Sequence, residues 1–196
     1  KIIKQKKYLK TCYINGLVLN DPDIDAITRL YHPIKVTKFK NRKYGRQFSL
    51  EPGTWSSFNN QNSIIPLEVV PTHFTPPSTG RNSDIWASFF MCKLAEHLNE
   101  RIVFGSPLVV QLRNLHNLWD DLELEYKNNS LTDIFVQLLR SINLRSKNRV
   151  LVAEELCKKS LIKLSSFKNK LKINEYKYVK NFFSEYLLWI NYFKKK

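Results

Sequence analysis

The sequence predicts an α/β fold in the first two thirds of the chain and a region of helices in the last third. Two observations predict it. Short apolar runs typical of strands lie on either side of a helix-like segment before residue 126, and three helix-like patterns follow Asn128. A chain of 196 residues is also long enough to bury one sizeable core. We therefore predict an α/β segment over residues 1–126 and a basic, aromatic-rich helical extension over residues 127–196.

The first predicted elements lie within residues 12–46. Residues 12–19 (CYINGLVL) are expected to form a short strand or turn that bends at Gly16. Residues 20–25 (NDPDID) have turn chemistry, because Asn and Asp side chains bond to their own backbone and proline fixes φ. AITRLYH then forms a short helix or an extended segment. Residues 35–46 carry six basic side chains, which indicates a solvated hairpin or a loop that faces phosphate.

Residues 51–77 are rich in Pro, Ser, Asn and Thr and are predicted to be loop with short strands. Residues 84–98 have apolar side chains at helical spacing, with Ser83 as the N-cap. RIVFG then predicts a buried strand that ends at residues 105–107 (GSP). The following stretch, VVQLRNLHNLWDDLELEY, is expected to begin as a strand and to finish as loop or helix.

The helical extension is predicted from caps and periodicity. Ser130 and Asp133 resemble an N-cap pair for a helix that ends near Ile142. Two further helices are expected near residues 149–165 and 174–193. Aromatic residues recur at helical intervals in the last one, which favours a packing face; a partner or membrane surface is the alternative, and the terminal lysines 194–196 suit it. These aromatic residues are Tyr178, Phe182, Tyr186, Trp189 and Phe193.

The net charge of +15 first suggests a nucleic-acid or anionic-membrane partner, but the charge is unevenly distributed. Residues 1–10 hold five lysines and no acid, and residues 127–196 hold sixteen basic against five acidic side chains. Residues 11–126 are close to neutral, with eleven basic and twelve acidic side chains. This neutrality and the lack of a basic-aromatic motif argue against nucleic acid. Contact with a membrane surface through the basic helices remains open.

Cysteine usage and the termini bear on the compartment. Three widely spaced cysteines suggest free thiols in a reducing compartment such as the cytoplasm. No apolar run is as long as a membrane span, and no signal peptide is visible. Because the first residue is Lys, we expect the chain to be a segment of a longer protein, and an upstream anchor would make a Golgi or membrane-associated location possible.

The stretch from Arg81 to His116 concentrates side chains that bind anions, transfer protons or hold metals. Asp84 lies at a helix start, where the helix dipole favours a negative charge. It fits either a simple helix-capping role or a carboxylate at the rim of a cleft that accepts a proton from a hydroxyl. Arg81 would reach a phosphate in the same cleft.

His116 lies among the polar residues of QLRNLHN, which favours a metal ligand over a surface histidine. Arg113 would then offset the charge of a diphosphate beside the metal. The alternating carboxylates of Asp21, Asp23 and Asp25 suit a divalent cation, but turn formation explains them nearly as well. Phosphate-binding glycine loops, the serine nucleophile elbow and zinc spacings are lacking, which disfavours those classes.

Four ordered blocks resemble the STELLO-type glycosyltransferase-like family. They are DPDIDAITRL (21–30), SSFNNQNSII (56–65), GRNSDIWASFF (80–90) and SPLVVQLRNLHNLWDDLELE (106–125), and the likeness covers roughly residues 12–126. Four blocks in order are more specific than any one alone. A more distant resemblance is to the reversibly glycosylated polypeptides, the UDP-arabinopyranose mutases, which also carry an Arg-x-x-Asp-x-Trp block.

The resemblance implies a GT-A type α/β fold that binds a nucleotide-sugar at the carboxyl ends of its strands. In that fold a D-x-D motif and a later histidine hold Mn²⁺ or Mg²⁺ against the diphosphate. By position, the resemblance implies that Asp84 is the catalytic carboxylate and that His116 is the metal ligand. The residues predicted to bind substrate are Arg81, Trp86, Gln111, Arg113 and Asn114.

One departure from the pattern matters. No convincing D-x-D motif precedes residue 21, so we expect the nucleotide-binding half to lie upstream, or the chain to be a degenerate relative. The prediction is the C-terminal part of a metal-dependent glycosyltransferase that transfers a sugar from a nucleotide-sugar donor to an unknown acceptor. The alternative is a non-catalytic glycosyltransferase-like interaction module that regulates another enzyme.

Overall fold

A computed structural model describes residues 9–38 and 47–194, apart from the side chain of Lys127. Of the predicted basic hairpin or phosphate-facing loop, residues 39–46 lie outside the described residues, as do Lys195 and Lys196. The strands are β1 (Thr11–Asn20), β2 (Phe48–Ser49), β3 (Ser63–Ile64) and β4 (Arg101–Gln111). The helices are α1 (Ala26–Tyr31), α2 (Ser83–Leu98), α3 (Leu118–Arg140), α4 (Arg149–Lys163) and α5 (Ile173–Lys194).

The four strands form one mixed sheet in the order β2-β4-β1-β3. The long strands β1 and β4 are parallel, whereas β2 and β3 pair antiparallel with β4 and β1. Parallel neighbours need a crossover connection, and the chain between β1 and β4 includes α2. The predicted mixture of strands and helices followed by a helical region is therefore confirmed.

β4 is longer than the sequence predicted. The strand continues through Pro107 to Gln111, although we expected it to end at residues 105–107. The pairing steps from Gly16–Gly105 to Val18–Val109, so β4 holds two more residues than β1 across this irregularity. Proline lacks an N–H for the ladder, and a bulge is a place where none is needed.

α3 also begins earlier than predicted. Ser130 is not an N-cap but lies inside the helix, because Asn117 supplies the cap and accepts a hydrogen bond from the Trp119 N–H at 3.1 Å. Asn117 is followed by an acidic first turn, and both features stabilise a helix N-terminus. Together they form a stronger helix-start signal than the one at Ser130. The helix runs through the predicted boundary at residue 126, and one core contains residues from both sides of it.

The core is dominated by aromatic rings from α2, α3 and α5. Phe182 and Tyr186 are fully buried, and Tyr178 and Trp189 pack partly buried against the same core, so the predicted packing face of α5 is confirmed. The helices predicted near 149–165 and 174–193 are present as α4 and α5. The three cysteines are buried free thiols, as expected. Within residues 9–38 and 47–194, no helix combines the length and apolar character needed to span a membrane.

Gly16→Ala is expected to destabilise the sheet by about 1–3 kcal/mol, because the added methyl would overpack the contact between β1 and β3. An ideal Cβ at Gly16 would lie 2.6 Å from Cγ of Asn62, whose side chain is fixed by a hydrogen bond to the Leu17 carbonyl. Gly105→Ala is the matched control, since Gly105 is the register partner of Gly16 and its Cβ would meet only Cγ2 of Ile14 at 3.6 Å. Equal unfolding midpoints in urea for the two variants would contradict the prediction.

Candidate functional site

The candidate site lies where the two parallel strands end. Asn20 and Gln111 are the last residues of β1 and β4, are register partners, and are joined by a hydrogen bond from the Asn20 side chain to the Gln111 carbonyl at 2.8 Å. The segments that follow then meet, because Arg113 forms an ion pair with Asp23. Ligands of open α/β sheets bind outside the carboxyl ends of parallel strands.

A polar cleft of about 220 Å³ opens at this edge. Four separate segments of the chain line it: the turn after β1, the loop before β3, the residues around the start of α2, and α3 at Glu125 and Asn129. Four of the lining side chains are carboxylates, against one guanidinium, so the cleft is acidic. The polar lining residues are Asp23, Asp25, Ser57, Asn59, Arg81, Asn82, Asp84, Glu125 and Asn129.

Asp84 lies in the first turn of α2, directly after a tight turn. Gly80 has φ 52° and ψ −130°, a backbone conformation that residues other than glycine rarely adopt. This conformation directs the chain into the helix. The N-cap is Asn82 rather than the predicted Ser83. Oδ1 of Asp84 accepts a hydrogen bond from the Ile85 N–H at 2.8 Å. This placement holds the carboxylate at the wall of the cleft.

Burial raises the pKa of the Asp84 carboxyl above its ordinary value. The nearby charge of Asp23 raises this pKa further, whereas the hydrogen bond from the Ile85 N–H opposes the shift. The effect of burial is larger, although a helix start favours a negative charge. A carboxylate with a raised pKa is a stronger base than an ordinary aspartate, which suits it to accept a proton from a hydroxyl.

Arg81, in the turn before α2, is held by two carboxylates on one face of α3. Its Nη1 lies 2.9 Å from Oδ1 of Asp121, and its Nη2 lies 3.0 Å from Oε1 of Glu125. The other oxygen of Glu125 accepts a hydrogen bond from the Ala26 N–H at 2.7 Å, which ties in the start of α1. The guanidinium is thus held by carboxylates at the cleft wall, and its predicted contact with phosphate is not tested by this arrangement.

His116 lies in the exposed loop before α3, and its Nδ1 is 3.5 Å from Oδ2 of Asp121. Asp121 is already paired with Arg81. A metal ion at this point would therefore meet two ligand side chains, His116 and Asp121, beside the positive charge of the guanidinium. Within residues 9–38 and 47–194, no three His, Cys, Asp or Glu side chains converge as metal ligands. Among the described residues, His116 and Asp121 thus lie together beside Arg81 without a third such ligand, and we derive no chemical step through a metal.

Trp86 was predicted to bind substrate, but the structure places it in the core. Its side chain is fully buried, its ring stacks on Phe135 at a centroid distance of 4.2 Å, and its Nε1 donates to Oγ1 of Thr132 at 3.1 Å. The side chain of Trp86 points into the core, whereas that of Asp84, two residues earlier in α2, lines the cleft. The assignment of Trp86 to substrate is therefore corrected to a packing role.

The other predicted residues are divided between the cleft edge and solvent. Arg113 reaches the cleft through its ion pair with Asp23. Gln111 is half-buried at the end of β4, and Asn114 is exposed in the loop that follows. Neither side chain lines the polar cleft.

Glu125 and Asp121 were not singled out from the sequence, although a signal was present. They are four residues apart in a helix, which places both carboxylates on one face where a single arginine can bridge them. The shared face was not recognised because the helix was predicted to begin at Ser130, after both residues. Asp25 is explained by its local structure, since it caps α1 and accepts a hydrogen bond from the Thr28 N–H at 2.8 Å.

A second, larger cavity of about 1050 Å³ adjoins the polar cleft and shares Arg81 with it. It lies between the 78–81 turn, α3 and the start of α5. Leu124, Leu131, Tyr126 and Tyr178 give it apolar walls. Tyr178 is fixed there by a hydrogen bond from its hydroxyl to the Thr79 carbonyl at 2.5 Å.

The fold and site define a class: an α/β protein with an acidic cleft at the carboxyl ends of its parallel strands. Comparison of the chain with known protein families and with curated proteins finds no match. The residues that line the cleft therefore carry the functional proposal.

Proposed function

We propose that the polar cleft is the sugar and acceptor site of a glycosyltransferase of GT-A type. The observation that carries the proposal is the convergence of four segments, distant in sequence, on the cleft that Asp84 lines. Each segment belongs to one of the four blocks that resemble the STELLO-type family: Asp23 to the first, Asn59 to the second, Arg81 to the third and Glu125 to the fourth. A purely structural role would not require every block to contribute a polar side chain to one cavity.

The acidic lining favours a ligand with many hydroxyl groups. Carboxylates accept hydrogen bonds from hydroxyls, and such charge-assisted bonds are stronger than those between neutral groups. Asn59 and Asn82 add amide donors and acceptors to the same lining. A sugar ring and an acceptor hydroxyl satisfy this lining better than a bare diphosphate, because the carboxylates outnumber the arginines even with Asp23 and Glu125 paired.

In the proposed reaction, Asp84 accepts the proton of the acceptor hydroxyl. The acceptor oxygen then forms a bond to the anomeric carbon of the sugar, and the bond from that carbon to the nucleoside diphosphate breaks. The diphosphate leaves with the electron pair. Asn82 and Glu125 lie at the same wall and would orient the sugar, and the adjoining cavity has room for the larger part of a substrate.

The proposal is tested by nucleoside diphosphate release from a panel of nucleotide-sugars, with the full-length protein and candidate acceptors. Release that depends on both donor and acceptor supports it. Binding of a nucleotide-sugar without turnover would instead favour the non-catalytic module. The ion pairs of Arg81 and Arg113 favour that second function, because the guanidinium that lines the cleft and the one paired with Asp23 beside it are both already neutralised by carboxylates.

Metal dependence remains a prediction, and His116→Ala tests it. If a divalent cation reaches the cleft together with the diphosphate, loss of the imidazole should weaken Mn²⁺-dependent binding of nucleotide-sugar by about tenfold. His32→Ala is the matched control, since His32 is exposed and ends α1. An unaltered Mn²⁺ titration of His116→Ala would refute the metal role and leave His116 as a partner of Asp121.

A further inference from the structure

Six exposed lysines are concentrated at one end of the α4–α5 pair. The two helices pack against each other, and the segment 164–172 joins them, so the end of α4 and the start of α5 lie at the same end. Within residues 162–180 the only acidic residue is Glu175. We call this region the basic tip; its lysines are Lys163, Lys168, Lys170, Lys172, Lys177 and Lys180.

The basic tip also exposes two large aliphatic side chains. Ile162 in the last turn of α4 is 75% exposed, and Ile173 at the first position of α5 is 79% exposed. Exposure of each side chain to water is unfavourable, and burial in an apolar environment would remove this unfavourable free energy. Lysines surround both in the sequence, so the tip combines positive charge with exposed apolar side chains.

We propose that the basic tip binds the surface of an anionic lipid bilayer. The lysines would interact with the headgroups, and the two isoleucines would insert at the boundary between headgroups and acyl chains. This location differs from the terminal lysines considered from the sequence, because Lys194 is paired with Glu154 at 2.6 Å. The proposal is independent of the glycosyltransferase assignment.

Nucleic acid would also be attracted by the lysines, but the isoleucines favour a bilayer. Single-stranded nucleic acid stacks its bases on exposed aromatic rings. The α5 rings nearest the tip, Tyr176 and Tyr178, are instead partly buried against the core. Phe167, the aromatic residue of the joining segment, is partly buried, and Lys170 lies over its ring at 5.6 Å from the centroid. Aliphatic side chains gain nothing from phosphate, whereas they gain from acyl chains.

The test is co-sedimentation of the full chain with vesicles of phosphatidylcholine, with or without phosphatidylserine. The wild type should bind only the vesicles with phosphatidylserine, and raised salt should weaken the binding. Neutralising Lys163, Lys168 and Lys170 together by glutamine should lower the partition coefficient by about 100-fold, at roughly fivefold per lysine. The matched control neutralises Lys35, Lys38 and Lys147, which are exposed but outside the tip, and should bind far more strongly than the tip variant.

The isoleucines separate a bilayer from a general polyanion. Ile162→Ser with Ile173→Ser keeps every charge and should reduce vesicle binding by about fivefold without changing binding to a single-stranded oligonucleotide. Equal loss in the tip and control lysine variants would overturn the proposal. So would vesicle binding that is insensitive to the isoleucine substitutions, since that result indicates attraction of any polyanion.

Discussion

Asp84→Asn in the full-length protein is expected to lower the rate of sugar transfer by about 1,000-fold while leaving the fold intact. The amide has nearly the shape of the carboxylate but cannot accept the proton of the acceptor hydroxyl. It can still accept the hydrogen bond that Oδ1 receives from the Ile85 N–H, so the start of α2 keeps its local contact. Steady-state transfer assays and far-ultraviolet circular dichroism give the two readouts.

The same substitution should not lower the free energy of unfolding. The pKa of Asp84 is raised in the folded state by burial and by Asp23, so the ionised carboxylate is less stable there than in the unfolded chain. This unfavourable contribution is present at pH values above the folded pKa and is relieved as the pH falls and the carboxyl protonates. Asparagine carries no charge and therefore removes this unfavourable contribution at neutral pH. A loss of stability of this kind is expected of a carboxylate that is retained for function.

Asp133→Asn is the matched control for Asp84→Asn. Asp133 is exposed on α3 and does not line the polar cleft, so its substitution should leave transfer unchanged. Unchanged turnover in Asp84→Asn would eliminate the catalytic role. Lost turnover accompanied by unfolding would also contradict the account, because it would make Asp84 a structural residue.

Trp86→Ala is expected to lower the free energy of unfolding by about 3–5 kcal/mol. Trp86 is fully buried, stacks on Phe135 and meets the edge of Phe182, so its removal leaves a cavity where α2, α3 and α5 meet. The substitution also removes the hydrogen bond from the indole to the Thr132 hydroxyl, which keeps its own bond to the Asn128 carbonyl. Urea unfolding followed by circular dichroism measures the change.

Trp119→Ala is the control for this prediction, because Trp119 is 69% exposed at the start of α3. Its loss should change the free energy of unfolding by no more than about 0.5 kcal/mol. If Trp86→Ala instead weakened substrate binding while the unfolding midpoint stayed the same, the buried position of Trp86 would be contradicted. The original prediction of a substrate contact would then be restored.

The helices were predictable where the spacing of apolar residues is regular. α2 and α5 have such spacing, and α5 was located to within one residue at each end. β4 was cut short because Gly105 and Pro107 are strong turn signals, and the irregular pairing that accommodates them depends on the partner strand. The start of α3 was missed because two capping signals compete, and local sequence does not show which one the packing favours.

The site was predictable only in part. Asp84 and Arg81 line one cleft, as the sequence suggested. Trp86 was misplaced, since a helix sends residues two positions apart to different faces, and the inward face is fixed by contacts with α3 and α5. Glu125 was missed because its contacts with Arg81 and Ala26 join residues 44 and 99 positions away in the chain. Such pairings follow from topology, which the sequence pattern does not reveal.

Amide hydrogen exchange of the full-length protein, with and without a saturating nucleotide-sugar, shows whether a nucleotide-sugar binds in the polar cleft. We expect slower exchange in the four segments that line the polar cleft, around Asp23, Asn59, Asp84 and Glu125, and unchanged exchange in α4. Slower exchange confined to other parts of the chain would contradict the proposed site. No change at any concentration of any nucleotide-sugar tested would contradict the proposed function as well.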